Sequence, residues 1–118
     1  MRMRIASFRG RPFAYAQDYE VHAWPQAHLA HLPNGARAID SFIGLPSMIG
    51  RGHGAAYLRL LADQLCVEGA PLVAIDPDVN NVRAHRAYAK AGFVGEAQVA
   101  TEAGLAVLMV YDPRRLLA

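Results

Sequence analysis

Apolar and polar residues alternate along the first part of the chain, and this pattern predicts strands. The stretch RIASFRGRPFAYAQDYEVHAW fits two antiparallel strands, about Arg4–Phe8 and Pro12–His22, with Gly10 in the turn between them. Ala23–Ala36 contains two prolines, a glycine and two histidines, a composition typical of a loop. A short strand over about Arg37–Ile43 is predicted to follow that loop.

Two helices are predicted in the second half, where apolar residues recur at helical spacing. The first is expected over about Gly54–Val67. The second is expected to begin after a cap at Asn80 or Asn81 and to end near Ala91, where a glycine follows. Their apolar faces are expected to hold Leu58, Leu61, Ala62 and Leu65 in the first helix and Ala84, Ala87, Tyr88 and Ala91 in the second.

Continuous apolar runs predict the remaining strands. The run PLVAID is typical of a short buried strand of the parallel kind. FVGEAQVATEAGLAVLMVYD predicts a last hairpin with its turn near Glu102–Gly104. The predicted order is therefore a hairpin, a strand, a βαβα core and a final hairpin, which makes a mixed α/β fold.

Composition restricts the class of protein. With 118 residues and 53% apolar content, residues 1–118 are expected to form one small domain. The formal charge of +2, without a long basic run, excludes a nucleic-acid-binding tail and suits a polyanionic small molecule. Cys66 is the single cysteine, so no intrachain disulfide forms, and a buried position on a helix would make it a poor nucleophile. No apolar run has the length of a signal peptide core or membrane span, so we expect a soluble cytoplasmic protein.

The segment IGRGHG, at Ile49–Gly54, is the main candidate for binding chemistry. Glycines at alternate positions leave backbone N–H groups uncovered at a helix start, an arrangement that attracts phosphate. No Gly-Lys-Ser/Thr ending is present, so a Walker loop is excluded. A dinucleotide-binding domain stays an alternative, because Ala55 is an accepted third position counted from Gly50 and Asp76 lies roughly twenty residues further on.

The loop and the downstream segment IDPDVNNVRAHRAYAKAGF together resemble the GCN5-related N-acetyltransferase (GNAT) superfamily. The glycine loop opens a helix, and Asn81 then begins the pattern Asn-x-x-Ala-x-x-x-Tyr-x-Lys-x-Gly-Phe. The stretches ARAIDSFIG and GLAVLMV are most similar to the aminoglycoside 6'-N-acetyltransferase branch. The resemblance covers about Arg4–Tyr111. It implies a GNAT-like acyl-CoA N-acyltransferase fold, N-terminally short, that uses acetyl-CoA.

The resemblance also implies which residues would bind coenzyme A. The loop amides would hold the pyrophosphate, Arg51 would add a positive charge, and Ile49 stands where the superfamily often has Gln or Arg. The strand that ends at Ile43 would splay from the PLVAID strand, so that pantetheine could bond to the strand backbone between them. Asn81 and Arg86 would contact the cofactor from the second helix. The implied cofactor-binding set is Ile43, Ile49, Gly50, Arg51, Gly52, His53, Gly54, Asn81 and Arg86.

The chemistry implied by the resemblance is transfer of acetyl to a primary amine by direct attack. Asp40 matches the proposed general base of the aminoglycoside branch, and Tyr88 would protonate the leaving thiolate. A base is required because an amine with a pKa near 10 is mostly protonated at neutral pH. Asp76 matches an acid that holds the cationic acceptor. Glu102 lies beside the position, Ala103, where the family has a further acid.

Several of these residues also have a plainer interpretation. The glycine loop could be a flexible turn, and Arg86, with Arg83 and Lys90, could be part of a solvated helix face. Tyr88 fits a core position on its helix, and Asp40 could form a salt bridge to Arg37 or another arginine. Asp76 precedes a proline and could be a turn or capping residue. His22, His28 and His31 lack cysteine partners, so zinc binding is disfavoured and solvated loop residues or acceptor contacts are favoured.

Two departures from the family concern the acceptor. The loop before Asp40, AWPQAHLAHLPNG, has no acid, although a polycationic antibiotic needs several carboxylates. Family members usually begin with a strand and two helices that shape the acceptor site, and this chain starts after them. The start is then internal to a longer frame, or a second copy completes the site, or the site is open. We expect a homodimer, and the alternative function is a non-catalytic CoA-binding or regulatory module that lost its acceptor half.

Overall fold

One mixed sheet organises the fold. The computed structural model describes residues 2–8, 11–23, 26–43, 53–112 and 114. The strands within these residues pair in the order β1-β2-β3-β4-β6-β5, and every pair is antiparallel except β3–β4. The elements are β1 (Arg2–Phe8), β2 (Arg11–Glu20), a 3-10 helix (Ala27–Leu29), β3 (Arg37–Ile43), α1 (His53–Val67), β4 (Val73–Ile75), α2 (Val82–Ala91), β5 (Phe93–Thr101) and β6 (Gly104–Tyr111).

The predicted elements and the mixed α/β class are confirmed, with small shifts at the ends. The turn predicted at Gly10 lies outside the described residues. Asn81 caps α2, because its side-chain oxygen accepts a hydrogen bond from the backbone N–H of Ala84 at 3.1 Å. Gly92 ends α2 with a φ of 105°, in the left-handed region where a glycine is favoured. Local capping signals therefore set both ends of this helix.

Both α-helices pack on the same face of the sheet. The predicted apolar face of α1 is buried, and Leu65 at 1% exposure joins Phe93, also at 1%, in one core. Tyr88 and Ala91 are buried in the same core, and Ala84 and Ala87 pack at its margin. The basic side chains of α2 lie on the opposite, exposed face. Helical periodicity thus identified the faces correctly.

Cys66 is a correction to the sequence analysis. We expected it at a buried apolar position, but it is exposed, because it follows Leu65 on the helix and therefore points away from the core. Partial desolvation and the charge of Asp63 raise the pKa of the Cys66 thiol. The thiol is therefore a weak nucleophile despite its exposure.

The second face of the sheet is covered by the segment that we predicted as a loop. Leu29 and Leu32, at 1% and 7% exposure, pack with Tyr19 and Leu108 in a separate core. The 3-10 helix brings Leu29 onto the sheet, and Leu32 follows one turn later. Apolar burial therefore anchors this segment and determines where its polar residues lie.

A buried carboxylate joins β1, β2 and β3. Asp18 is 0% exposed and accepts hydrogen bonds from Arg37 Nε at 3.1 Å and Nη2 at 2.5 Å. Arg2 contacts the same carboxylate oxygen at 3.3 Å and Glu68, after α1, at 2.8 Å. Two arginines therefore compensate the cost of burying this charge.

The first prediction concerns the contribution of the Tyr111 hydroxyl to stability. Its hydroxyl donates to Asp63 Oδ1 at 2.5 Å, and burial together with Asp63 raises the pKa of Tyr111 to about 12. We expect Tyr111→Phe to lower the free energy of unfolding by about 1–2 kcal/mol at neutral pH, as measured by urea denaturation. A raised pKa means that this stabilisation is complete below the usual value of 10 and is lost as the pH rises through about 12.

The control is Tyr15→Phe, at a half-buried position on β2, which we expect to change the free energy of unfolding by less than about 0.5 kcal/mol. Equal losses in both variants, or a Tyr111→Phe loss that persists above the pKa of Tyr111, would contradict the assignment.

None of the described helices is long and apolar enough to cross a membrane.

Candidate active site

The parallel strand β4 is shorter than its neighbour β3, so part of β3 lies beyond their pairing. Their pairing runs from Arg37↔Val73 to Ile39↔Ile75 and stops there, whereas β3 continues to Ile43. On its other side β3 stays paired with β2 along this whole length. Among the described residues no strand contacts the β4 side of β3 beyond Ile39. The opening beside this edge of β3, beyond the end of β4, offers backbone donors and acceptors to an extended amide-bearing chain.

Two acids lie at the mouth of this opening. Asp40 and Asp76 are the residues that directly follow the last pair, Ile39↔Ile75. Partial loss of hydration raises the pKa of Asp40, and the negative charge of Asp76 raises it further. No described residue forms a hydrogen bond or ion pair with the Asp40 carboxylate. The alternative of a salt bridge from Asp40 to Arg37 is wrong, because Arg37 binds Asp18.

Asp76 is held by a histidine. His28 Nε2 lies 2.7 Å from Asp76 Oδ2, and the two side chains are 5% and 20% exposed. The interpretation of His28 as a solvated loop residue is therefore wrong, because the 3-10 helix carries it against the end of β4. The interpretation of Asp76 as only a turn or capping residue is also incomplete, because its carboxylate contacts His28.

Tyr19 is a further residue near the two acids, and the sequence did not indicate it. Its buried hydroxyl accepts a hydrogen bond from Gln26 Nε2 at 2.9 Å. Burial is the main cause that raises the pKa of Tyr19, and the charges of Asp40 and Asp76 add to it. Tyr19 thus lies within electrostatic reach of both acids. The alternation in β2 predicted a strand there but gave no sign of this neighbourhood.

The other predicted catalytic and acceptor residues are Tyr88 and Glu102. Tyr88 is 8% exposed, and its ring centroid is 6.3 Å from that of Phe93 in the core. Glu102 is exposed in the turn between β5 and β6. The structure therefore brings Asp40 and Asp76 together and does not add Glu102 to their described contacts.

The predicted cofactor residues are described only in part. Asn81 caps α2, and Arg86 is exposed on it. The glycine loop, with Ile49, Gly50, Arg51 and Gly52, lies outside the described residues. For Ile43, His53 and Gly54 the structure describes the backbone alone. Within the described ranges, no three His, Cys, Asp or Glu side chains are grouped so that they could hold a metal ion.

Comparison with known proteins agrees with this geometry. A family model described as "Acetyltransferase (GNAT) domain" matches residues 1–101. The chain belongs to the GNAT acetyltransferase family. The dinucleotide-binding alternative is thereby wrong, and the sheet agrees, since it has one parallel pair where that fold is mostly parallel.

Relatives within the GNAT family come from the aminoglycoside branch. An aminoglycoside N(6')-acetyltransferase type 1 from Klebsiella pneumoniae is 34% identical over 111 residues, which are 90% of this chain and 54% of that protein. A kanamycin resistance protein from Rhizobium radiobacter is 38% identical over 77 residues, 64% of this chain and 71% of that one. The chain therefore spans about half the length, 54%, of the Klebsiella pneumoniae enzyme.

Solved structures of the family have the same fold. AAC(6')-Ib in complex with coenzyme A and kanamycin is 31% identical to this chain, with a TM-score of 0.85, over 98% of this chain and 70% of that one. AAC(6')-Ib in complex with ribostamycin and coenzyme A has a TM-score of 0.84 at 31% identity, over 98% and 65% of the two chains. The GNAT-like fold that the sequence predicts is confirmed.

Proposed function

We propose that this GNAT chain transfers acetyl from acetyl-CoA to a primary amine of an aminoglycoside-like small molecule. The observation that carries the proposal is the pair of carboxylates, Asp40 and Asp76, that follow the last residue pair of β3 and β4 at the mouth of the opening. The similar enzyme AAC(6')-Ib has been solved with coenzyme A and kanamycin, which supports both the donor and the class of acceptor.

The donor side of the proposed site fits an acyl-CoA. Acetyl-CoA supplies an activated thioester, whose carbon–sulfur bond breaks as the amine nitrogen bonds to the acyl carbon. The free edge of β3, from Asp40 to Ile43, would bind the amide-bearing pantetheine arm as a strand binds its neighbour. The backbone amides of Gly50–Gly54, with Arg51, would bind the pyrophosphate at the start of α1, and Asn81 and Arg86 would contact the cofactor from α2.

The acceptor side needs a group that removes a proton. Asp40 has no competing cation among the described residues, so its carboxylate is available to take a proton from the bound ammonium. Asp76, beside Asp40, would hold the cationic acceptor, and Glu102 would bind a more distant amine. Tyr88 would return a proton to the thiolate. Cys66 has no part in this direct attack, because it is exposed on α1 with a raised pKa.

The test is acetylation of a panel of amines by the purified chain. Kanamycin, spermidine and tyramine are each incubated with acetyl-CoA, and the acetylated amine is measured by mass spectrometry, because the exposed Cys66 would react with thiol dyes. We expect acetylated kanamycin and free CoA to form in equal amounts. Tight CoA binding without turnover on any amine would contradict the proposal and support the non-catalytic CoA-binding module.

The proposal extends to location and assembly. We propose that this acetyltransferase domain, residues 1–118, acts in the cytoplasm as a homodimer. The feature that supports assembly is the outer edge of β1, where Ile5 is 67% exposed.

A further inference from the structure

We propose that His28 is a positioning residue for the acceptor: it fixes the Asp76 carboxylate so that Asp76 and Asp40 receive the same ammonium group. The inference rests on the proposed acetyl transfer, and it assigns a role to a histidine outside the motifs of the resemblance. It begins from the contact of 2.7 Å between His28 Nε2 and Asp76 Oδ2.

The segment that carries His28 is held firmly. The next residue, Leu29, is 1% exposed and packs in the core on the second face of the sheet. The 3-10 helix is closed by a backbone hydrogen bond from Leu29 N–H to Gln26 O at 3.0 Å, and the Gln26 side chain donates to Tyr19. With its own side chain 5% exposed, His28 has little freedom to leave Asp76.

The hydrogen bond with His28 uses one oxygen of the Asp76 carboxylate and leaves the other for the acceptor. Oδ2 accepts from His28, whether the ring is neutral with its proton on Nε2 or is charged. No described residue donates to Oδ1, which is therefore available to a ligand. Without His28, the side chain of Asp76 would be free to rotate away from the opening.

The remaining acceptors suit one ammonium group. A primary ammonium has three N–H donors, and Oδ1 of Asp76 and the carboxylate of Asp40 flank the same opening. The two acids are close enough that the charge of Asp76 acts on Asp40. A cation between them relieves this repulsion, so correct orientation of Asp76 strengthens amine binding. His28 therefore acts on the acceptor through Asp76, and we expect it to have no effect on the binding of acetyl-CoA.

The first experiment measures steady-state kinetics of His28→Leu, His28→Gln and His31→Leu. The acceptor is whichever of kanamycin, spermidine and tyramine the wild-type chain acetylates fastest. We expect His28→Leu to raise KM for the amine about tenfold or more, with KM for acetyl-CoA unchanged. His28→Gln keeps a donor at similar reach and should recover KM to within about threefold of wild type. His31, exposed in the same segment, is the matched control and should have no effect.

The second experiment is a double-mutant cycle with Asp76→Asn. If His28 acts through Asp76, His28→Leu should raise KM no further in the Asp76→Asn background. Additive effects of the two substitutions would overturn the inference, as would an unchanged KM in His28→Leu. Thermal unfolding and CoA binding check that each variant folds. Should His28→Leu not fold, His28→Asn replaces it, since its amide is too short to reach Oδ2.

The outcomes separate this inference from the function on which it rests. No turnover by the wild-type chain on any amine overturns the proposed acetyl transfer and the role of His28 with it. Turnover by wild type together with normal amine KM in His28→Leu overturns the role of His28 alone.

Discussion

Replacement of Asp40 by Asn is expected to lower kcat/KM for acetyl transfer about 10²- to 10⁴-fold, the usual contribution of a general base. Asn has a similar shape but takes up no proton, so the acceptor amine stays protonated and does not attack. CoA binding should be unchanged, because the Asp40 side chain is assigned to the amine. Steady-state kinetics and CoA titration measure the two effects separately.

Glu96→Gln is the matched control for charge, because Glu96 is exposed on β5 at the far edge of the sheet. We expect its kcat/KM to equal that of wild type. Activity of Asp40→Asn within about threefold of wild type would exclude Asp40 as the base.

The pH dependence of wild-type activity is a second test of Asp40 as the base. Loss of hydration and the charge of Asp76 raise the pKa of Asp40 above its usual 3.8, so activity should fall with decreasing pH earlier than for an ordinary carboxylate. Asp76→Asn removes the repulsive charge and should move this acid limb of the kcat/KM profile to lower pH.

Stability should change in the opposite direction to activity. A carboxyl whose pKa is raised by folding costs stability while ionised, and this cost disappears as the pH falls below the unfolded value of 3.8. Asp40→Asn should therefore have a higher Tm than wild type at neutral pH and an equal Tm below that value. If Asp40→Asn is inactive and yet more stable than wild type, its loss of activity is due to the missing base and not to unfolding.

Gly95→Ala is expected to lower the free energy of unfolding by at least about 3 kcal/mol. Gly95 lies at an irregularity in the β5–β6 pairing with a φ of 147°, and a Cβ there would meet the backbone oxygen of Leu108 at 2.2 Å. The clash is with backbone, so no side-chain rotation relieves it. Urea denaturation with the linear extrapolation measures the loss.

Gly104→Ala is the control, because Gly104 also has a positive φ, 124°, but no atom within 4 Å of a built Cβ. It should lose only the backbone strain, about 1–2 kcal/mol. Equal losses in the two variants would show that strain alone matters at Gly95. Gly95 is relevant to the site because β6, the strand that it contacts, pairs with β4 through Ile75↔Met109, next to Asp76.

The local signals of the chain were sufficient for most elements. Helical periodicity placed the buried face of α1, and a side-chain cap and a glycine bounded α2, because these signals act within a few residues. The motif that begins at Asn81 and the segment around Asp40 indicated the family, and both acids of the opening were named from it. These features depend on neighbours in sequence, so the sequence is enough to find them.

The contacts around the acids depend on the tertiary structure. His28 and Asp76 are far apart in sequence, and they meet only because Leu29 and Leu32 bury themselves on the second face of the sheet. Arg37 binds Asp18 and leaves Asp40 open, because strand register sets which charges are neighbours. Composition predicted a loop before β3, since prolines and polar residues are locally typical of one. Whether such a segment is solvated or packed is decided by the apolar surface available to it, which exists only after the sheet has formed.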